Sequence, residues 1–212
     1  HTAIRRQRQM CIRDRSEMHL VQAMDAVPEM RGVLCLFEGV CTGAADGYAR
    51  IAGKPALTVL HLGPGLGNGI ANLHNARRAA TPIINLVGNH ATYHVPHDAP
   101  LTSDIETLAK NVSTWIKSDS TAGSLAADGM VALAKVQSPS HGSDGATATL
   151  IIPAEACWGE ALDIAAVVQP ELPAVVEAER IQSVAKLLGP ASLLLLDKGA
   201  LTAESRLSLI HI

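Results

Sequence analysis

Residues 56–88 read ALTVLHLGPGLGNGIANLHNARRAATPIINLVG, and they decide the fold class. The apolar run over 56–62 predicts a strand, the glycine-rich run over 63–69 a turn, the stretch 70–80 a helix, and the apolar run over 82–88 a second strand. A strand, a helix and another strand in succession form the unit from which parallel sheets are built. These residues therefore predict an α/β fold.

The same alternation continues on both sides of this unit. It predicts strands over 33–37, 112–116 and 146–155, and helices over 16–27, 40–52, 104–110 and 126–138. Aromatic residues make up only 2% of the chain, so small aliphatic side chains must fill the core, which suits packing between helices and a parallel sheet. We predict a parallel sheet with helices on both faces.

The chain divides into segments of different character. Residues 16–160 carry the regular alternation and are predicted to form one domain. Residues 161–177 contain Pro170 and Pro173 without strong periodicity and are interpreted as a linker. Residues 178–204 contain the helical stretch ERIQSVAKLLG and the apolar stretch ASLLLLDKG, which together predict the truncated start of a second α/β domain.

The two ends of the chain differ from the rest. Residues 1–15, HTAIRRQRQMCIRDR, and residues 205–212, SRLSLIHI, do not continue the pattern and resemble translated sequencing-adapter read-through. We interpret both as non-native. The alternative for the first segment is a basic disordered arm.

Charge and composition exclude some classes of protein. The formal net charge is −3 and no basic stripe is present, which argues against a nucleic-acid partner. No apolar run is long enough to span a membrane and no secretory segment is visible, so we expect a soluble protein. The cysteines show no CxxC spacing, and we interpret them as free thiols of a cytoplasmic protein, without metal: Cys11, Cys35, Cys41 and Cys157.

Polar groups collect where the predicted strands end, which is where α/β sheets bind ligands. Glu38 follows the apolar run VLCLF (33–37), and His61 stands directly before the glycine-rich run. Burying a carboxylate at the end of an apolar strand is costly unless it has a partner. Glu38 is therefore either a helix N-terminal carboxylate, stabilised by the helix dipole, or a functional acid. His61 is either a buried structural histidine or an acid/base group.

The glycine-rich run GPGLGNG (63–69) is not a known nucleotide motif. It misses the GxGxxG spacing and lacks the Lys-Ser/Thr pair of a P-loop. Two interpretations of its glycines remain: they form a tight turn that needs positive φ, or they leave a backbone that a flat ligand can approach closely.

The loop from Asn89 to Thr102 contains His90, His94 and His97. Three histidines could hold zinc, and a zinc hydrolase is one alternative function. Pro96 argues against a helix that would place them on one face, so we favour a mobile loop.

The stretches FEGVCTGAADGYARIAGKPA (37–56), LTVLHLGPGLGNGIANLHNA and TPIINLVG resemble the pyrimidine-binding domain of thiamine-diphosphate-dependent enzymes. Among these enzymes, the sequence is most similar to the acetolactate synthase large subunit and to benzoylformate decarboxylase. The resemblance covers residues 16–160, and it implies that the family's first strand and helix would precede Ser16. The tail resembles the start of the family's middle domain.

The resemblance gives roles to single residues. It implies that Glu38 hydrogen-bonds the N1′ atom of the cofactor's aminopyrimidine and so activates the cofactor for attack on a 2-oxo acid. A histidine in the place of His61 moves protons in the decarboxylases, and Asn68 matches an asparagine of both groups. Gly63, Pro64 and Gly65 match the synthases and are expected to border the cofactor. The segment 99–102, Ala-Pro-Leu-Thr, replaces a Phe-Gln pair of the synthases.

The resemblance also implies what lies outside this sequence. The cofactor would be thiamine diphosphate, with its diphosphate and Mg²⁺ held by a downstream domain, usually of a second subunit. A dimer or tetramer acting on a small 2-oxo acid is implied, FAD is possible in the middle domain, and the fragment is expected to be inactive alone. A different class, a non-catalytic partner or regulatory module of the same fold, is disfavoured because it has no reason to keep Glu38.

Overall fold

The computed structural model describes residues 17–138, 146–161, 166–170 and 175–193. The chain divides into two compact units, His1–Glu171 and Leu172–Ile212. The first unit is built on a sheet of four parallel strands in the order β1-β2-β4-β3. The strands are β1 (Ala56–His61), β2 (Ile83–Asn89), β3 (Trp115–Lys117) and β4 (Thr147–Pro153).

Six α-helices of the first unit have described bounds: α1 (Met18–Asp25), α2 (Glu38–Ala52), α3 (Leu62–Arg78), α4 (Ile105–Lys110), α5 (Leu125–Gln137) and α6 (Ala154–Trp158). A short 3₁₀ helix, Val95–His97, lies in the loop after β2. Glu17 is the N-cap of α1. None of the helices in the described part of the chain has the length and apolar character needed to cross a lipid bilayer.

Helices cover both faces of the sheet, as predicted. On one face α2, α3 and α4 pack through side chains such as Ala49, Leu66 and Leu73. On the other face α1, α5 and α6 close a second apolar cluster around Leu150 and Ile152 of β4. All seven residues of β4 are buried, which is the pattern of a central parallel strand. The α/β prediction is confirmed.

The predicted strand over 33–37 is wrong. These residues have no assigned strand structure, and Val33, Leu34 and Leu36 are exposed by 69%, 74% and 83%. An extended segment becomes a strand only when it pairs with a neighbour, and the described residues provide none here. Glu38 therefore begins a helix instead of ending a buried strand.

The predicted turn over 63–69 is also wrong, because the whole glycine-rich run lies inside α3. The helix starts at Leu62, directly after β1. The positive φ that a sharp strand-to-helix turn requires is taken by Leu62, with φ 53°. Leu62 is a buried non-glycine residue, so the chain holds some backbone strain next to His61.

The second unit contains α7 (Ala178–Ala185), which agrees with the helix predicted there. Most of the strand predicted over 191–199 lies outside the described residues, as do both terminal segments interpreted as non-native. The boundaries at 16–160, 161–177 and 178–204 stay a prediction.

A ladder of polar side chains runs across the buried sheet. Thr58, Asn85 and Thr149 face one another in register on β1, β2 and β4. Thr58 Oγ1 donates to Asn85 Oδ1 at 2.7 Å, and Asn85 Nδ2 donates to Thr149 Oγ1 at 3.1 Å. The hydroxyls of Thr149 and Ser113 are 2.7 Å apart. All of these side chains are buried, so each needs its partner.

Replacing Asn85 should therefore destabilise the fold strongly. Asn85→Ala removes the acceptor of Thr58 and leaves a cavity, so the free energy of unfolding should fall by about 2–4 kcal/mol. Ser113→Ala removes only the end of the ladder and should cost about 1 kcal/mol. Asn75→Ala, on the exposed side of α3, should change stability by less than about 0.5 kcal/mol. Urea unfolding followed by circular dichroism measures all three, and equal midpoints for Asn85→Ala and Asn75→Ala would contradict the ladder's importance.

Candidate functional site

The candidate site lies at the carboxyl end of β1. His61 ends this strand and is the N-cap of α3, whose first two turns contain the glycine-rich run. The neighbouring helix α2 brings Glu38 to the same place. The site is therefore built from two helix N-termini and one strand end, the position where α/β sheets bind ligands.

Close packing of α2 on α3 fixes Glu38. Thr42 Oγ1, on α2, lies 3.2 Å from the backbone oxygen of Gly69 and 3.0 Å from that of Glu38, and both oxygens are within reach of its one proton. Asn72 Nδ2 of α3 donates to the backbone oxygen of Gly39 at 2.6 Å. A Cβ atom on Gly69 would come within 2.7 Å of Thr42 Cγ2, so only glycine allows this approach. The result is a fixed distance between the first turn of α2 and α3.

Glu38 is the first residue of α2 and is half-buried. Asn68 Nδ2, on α3, donates a hydrogen bond to Glu38 Oε2 at 3.0 Å. Phe37 caps the helix without a side-chain hydrogen bond, so the carboxylate also meets the positive end of the helix dipole. The structure thus confirms that Glu38 is a helix N-terminal carboxylate, and it places that carboxylate near the carboxyl end of β1.

Gly65 separates Glu38 from His61. A Cβ atom on Gly65 would lie 3.7 Å from Glu38 Oε1 and 3.6 Å from His61 Cβ. Because Gly65 has no side chain, the carboxylate and the histidine both lie directly against the backbone of α3. Of the residues proposed from the sequence, the structure brings Glu38, His61, Gly65 and Asn68 together.

The remaining two residues proposed for the site, Gly63 and Pro64, have different surroundings. A side chain on Gly63 would collide with Ser103, so this glycine allows the loop before α4 to approach. Pro64 is exposed in the first turn of α3, where its missing N–H costs no helical hydrogen bond. Their predicted contact with a cofactor stays a prediction.

His61 has a partner that the sequence analysis missed. Its Nδ1 atom lies 3.0 Å from both carboxylate oxygens of Glu17. The two residues are 44 positions apart in the chain. Glu17 directly precedes α1, and from the sequence alone it resembles an ordinary acidic residue at a helix start. Only the chain topology shows that α1 approaches the end of β1.

The cysteines near the site are held as neutral thiols. Burial, together with smaller contributions from the neighbouring Cys35 and Glu38, raises the pKa of Cys41 to about 11. Burial likewise raises the pKa of Cys157 to about 11, with a contribution from the charge of Glu17. Since thiolates and not thiols are nucleophiles, neither cysteine is suited to nucleophilic chemistry at neutral pH.

The histidine-rich loop offers no zinc site. The ring centroids of His90 and His94 are 5.4 Å apart, and those of His94 and His97 are 5.7 Å apart. Within the described residues, no three His, Cys, Asp or Glu side chains converge in a way that could hold a metal ion. The zinc hydrolase alternative therefore lacks its metal centre.

Known proteins match this chain in sequence and in structure. The family model of the thiamine pyrophosphate enzyme, N-terminal TPP binding domain, matches residues 8–109. Thiamine pyrophosphate, TPP, is another name for thiamine diphosphate. This matched range contains all the residues proposed for the site.

Two named relatives match the chain over different lengths. Over 151 residues, 71% of this chain and 28% of the relative, it is 58% identical to the putative acetolactate synthase large subunit IlvX of Mycobacterium tuberculosis. Over 92 residues, 43% of this chain and 17% of the relative, it is 34% identical to benzoylformate decarboxylase of Pseudomonas aeruginosa. The chain thus spans under a third of the length of either protein.

A solved structure agrees with these relatives. A putative thiamin diphosphate-dependent enzyme from Mycobacterium smegmatis matches with a TM-score of 0.72 and 31% identity, over 81% of this chain and 32% of that one. The family model, the relatives and this solved structure agree that residues 8–109 correspond to the N-terminal TPP binding domain of the thiamine pyrophosphate enzymes.

Proposed function

We propose that this chain is part of a thiamine-diphosphate-dependent enzyme that acts on 2-oxo acids by decarboxylation or carboligation. Glu38 activates the cofactor and His61 moves protons at the substrate. The observation that carries the proposal is the arrangement around Gly65, which leaves Glu38 Oε1 and His61 on two sides of a space without a side chain.

The residues present fit the aminopyrimidine of the cofactor. A flat ring needs a backbone that it can approach closely, and Gly65 provides one. A ring nitrogen needs an acid with which it can share a proton, and Glu38 provides the carboxyl group. Asn68 binds Oε2 and so orients the carboxyl group, with Oε1 toward the space beside Gly65.

The chemistry then divides between cofactor and protein. When bound, thiamine diphosphate supplies the electron sink for loss of CO₂ from a 2-oxo acid. Glu38 holds a proton at the ring nitrogen of the aminopyrimidine. His61 accepts or returns a proton at the substrate, a role for which histidine is suited near neutral pH.

The comparisons support a substrate of the 2-oxo acid class, but they do not favour decarboxylation over carboligation. The relatives include a putative acetolactate synthase large subunit and a benzoylformate decarboxylase. His61 follows the decarboxylase pattern, whereas Gly63, Pro64 and Gly65 follow that of the synthases. Pyruvate and benzoylformate are accordingly the first substrates to assay, with CO₂ and the coupled product measured separately.

A second subunit is the proposed partner. One side of α2 exposes apolar groups at Val40, Tyr48 and Ile51, of which Ile51 is 91% exposed. Their spacing of about two and three turns places them on one stripe of the helix. Leu36, two residues before the helix, is also exposed, by 83%. Exposed apolar patches rimmed by polar residues mark interaction sites. We propose that this stripe contacts the other subunit of a dimer or tetramer.

Other parts of the enzyme complete the site. Mg²⁺ and the diphosphate group would bind a domain outside this sequence, so the chain alone should not turn over substrate. FAD use stays a prediction.

The free thiols Cys35, Cys41 and Cys157 suit a reducing compartment, and we propose that the enzyme is cytoplasmic.

Glu38→Gln tests the assigned acid in the full-length enzyme. The amide keeps the shape and the contact region of the side chain but cannot share a proton, so kcat should fall by about 10²–10⁴. Asp46→Asn is the matched control, because Asp46 lies on the same helix and pairs only with Arg50 at 2.8 Å among the contacts of the described residues. Steady-state kinetics with saturating cofactor give the result. Near-normal turnover of Glu38→Gln would leave a non-catalytic module as the better function.

Gly65→Ala tests the proposed cofactor space. The methyl group meets its neighbours at ordinary contact distance, so the fold should be kept, but it fills the space in front of Glu38. We expect thiamine diphosphate to bind at least about tenfold more weakly, a cost of about 1.4 kcal/mol. Gly67→Ala makes the same helix substitution into open space two residues away and should bind normally. Isothermal titration calorimetry on the full-length enzyme compares them, and equal affinities would refute the assignment of Gly65.

Ile51→Glu tests the proposed subunit contact. A charge in the apolar stripe must be desolvated on assembly, so the full-length enzyme should dissociate toward monomers. Ala127→Glu, exposed on α5 and on the opposite side of the sheet, should not change the assembly. Sedimentation velocity at several protein concentrations measures the mass, and an intact dimer for Ile51→Glu would place the interface elsewhere.

A further inference from the structure

The contact between Glu17 and His61 is the most specific one that the proposed mechanism does not use. The Nδ1 atom lies 3.0 Å from Oε1 and 3.0 Å from Oε2 of Glu17. A carboxylate only accepts hydrogen bonds, so Nδ1 must carry the proton in this pair. In a neutral imidazole the other nitrogen, Nε2, is then the proton acceptor.

The carboxylate of Glu17 is directed at the histidine and not at its own helix. Glu17 is the N-cap residue of α1, yet its side chain makes no capping hydrogen bond. The backbone oxygen of Glu17 still accepts from the Val21 N–H at 3.0 Å and starts the helix. The side chain of Glu17 is only 12% exposed and that of His61 34%, so water screens the pair less than it screens a surface ion pair.

Two further titratable groups near this pair lie on α6 and α2. Cys157, on α6, is a neutral thiol because burial raises its pKa to about 11. Glu38, on α2, borders Gly65 together with His61, since a Cβ atom on Gly65 would lie 3.7 Å from Glu38 Oε1. Glu17 is therefore placed to fix the ring's tautomer and to stabilise the imidazolium that forms when His61 takes a proton.

We propose that Glu17 is a positioning residue for His61, whose carboxylate holds the Nδ1–H and keeps Nε2 as the proton-accepting atom. In the same way, the aspartate of a Ser-His-Asp triad holds the Nδ1–H of the catalytic histidine and fixes its tautomer. The inference rests on the proposed function for the role of His61, but the contact itself can be tested without cofactor or substrate.

The first experiment uses the full 212-residue chain and measures the histidine directly. Two-dimensional ¹H–¹⁵N NMR over a pH series reports the tautomer and the pKa of His61, whose signals are identified by their loss in His61→Asn. We expect an Nδ1–H tautomer, and a pKa that falls by about 1–2 units in Glu17→Gln because an opposite charge is removed. Glu29→Gln, an exposed carboxylate in the segment after α1, should leave both unchanged. An Nε2–H tautomer, or equal pKa values in Glu17→Gln and the parent chain, would overturn the proposal.

The second experiment uses the full-length enzyme and separates positioning from structure. Glu17→Gln should lower kcat by about 10- to 100-fold with little change in KM, a part of what acid–base catalysis contributes. The acidic limb of the kcat/KM profile should move to lower pH, and Glu17→Asp should restore part of the rate. In a background of His61→Ala, Glu17→Gln should cost nothing further, because both changes remove the same function.

The possible outcomes separate the positioning role of Glu17 from the catalytic role of His61. If His61→Ala slows turnover and Glu17→Gln does not, the positioning role is overturned while the function of His61 stands. If the NMR changes appear but neither variant slows turnover, Glu17 still orients the ring and the catalytic role of His61 is overturned. Additive losses of rate in the double variant would also overturn positioning, since the two residues would then act independently.

Discussion

The approach of α2 to α3 is the constraint on which the site depends. The two helices touch where Thr42 meets Gly69 and where Asn72 binds the backbone of Gly39. Since both contacts involve backbone atoms, they fix the helices and not only the side chains. Asn68 lies on the same part of α3 and reaches Glu38 for this reason. A change in this packing would move the carboxylate relative to Gly65 and His61, even though no site residue had changed.

The glycine-rich run is best understood as a helix built for close approach. Glycine inside a helix costs roughly 0.5–1 kcal/mol relative to alanine, and α3 carries four glycines in its first eight residues. Three of them have a clear use, since Gly63 faces Ser103, Gly65 faces Glu38 and His61, and Gly69 faces Thr42. Conformational freedom is not the reason, because none of the four glycines has positive φ, and the residue that has it, Leu62, directly precedes the run. The glycines weaken α3 and Leu62 is strained, but together they allow α2, α3 and the end of β1 to lie close to one another.

The sequence predicts those features that depend on local pattern and misses those that depend on pairing. The apolar runs of β2 and β4 predict strands correctly, because a parallel strand buried on both faces is apolar throughout, wherever it lies in the sheet. The run over 33–37 has the same composition, but a strand also needs a neighbour, which composition does not reveal. The contact of Glu17 with His61 joins residues 44 positions apart and follows from topology alone. Glu38 could be singled out because an acid beside an apolar run is unusual, although the run proved exposed.

The exposed apolar run over 33–37 connects the proposed role of Glu38 with the proposed subunit contact. Within this chain Glu38 accepts a hydrogen bond from Asn68 and lies at the N-terminus of α2. The proposed sharing of a proton with a ring nitrogen requires a protonated carboxyl group, which removal of water favours in general. The apolar groups at Leu36, Phe37 and Val40 surround the start of α2 and are exposed by 83%, 51% and 59%. A subunit that covered them would exclude water from Glu38 at the same time, so the surface that assembles the enzyme would also prepare its acid.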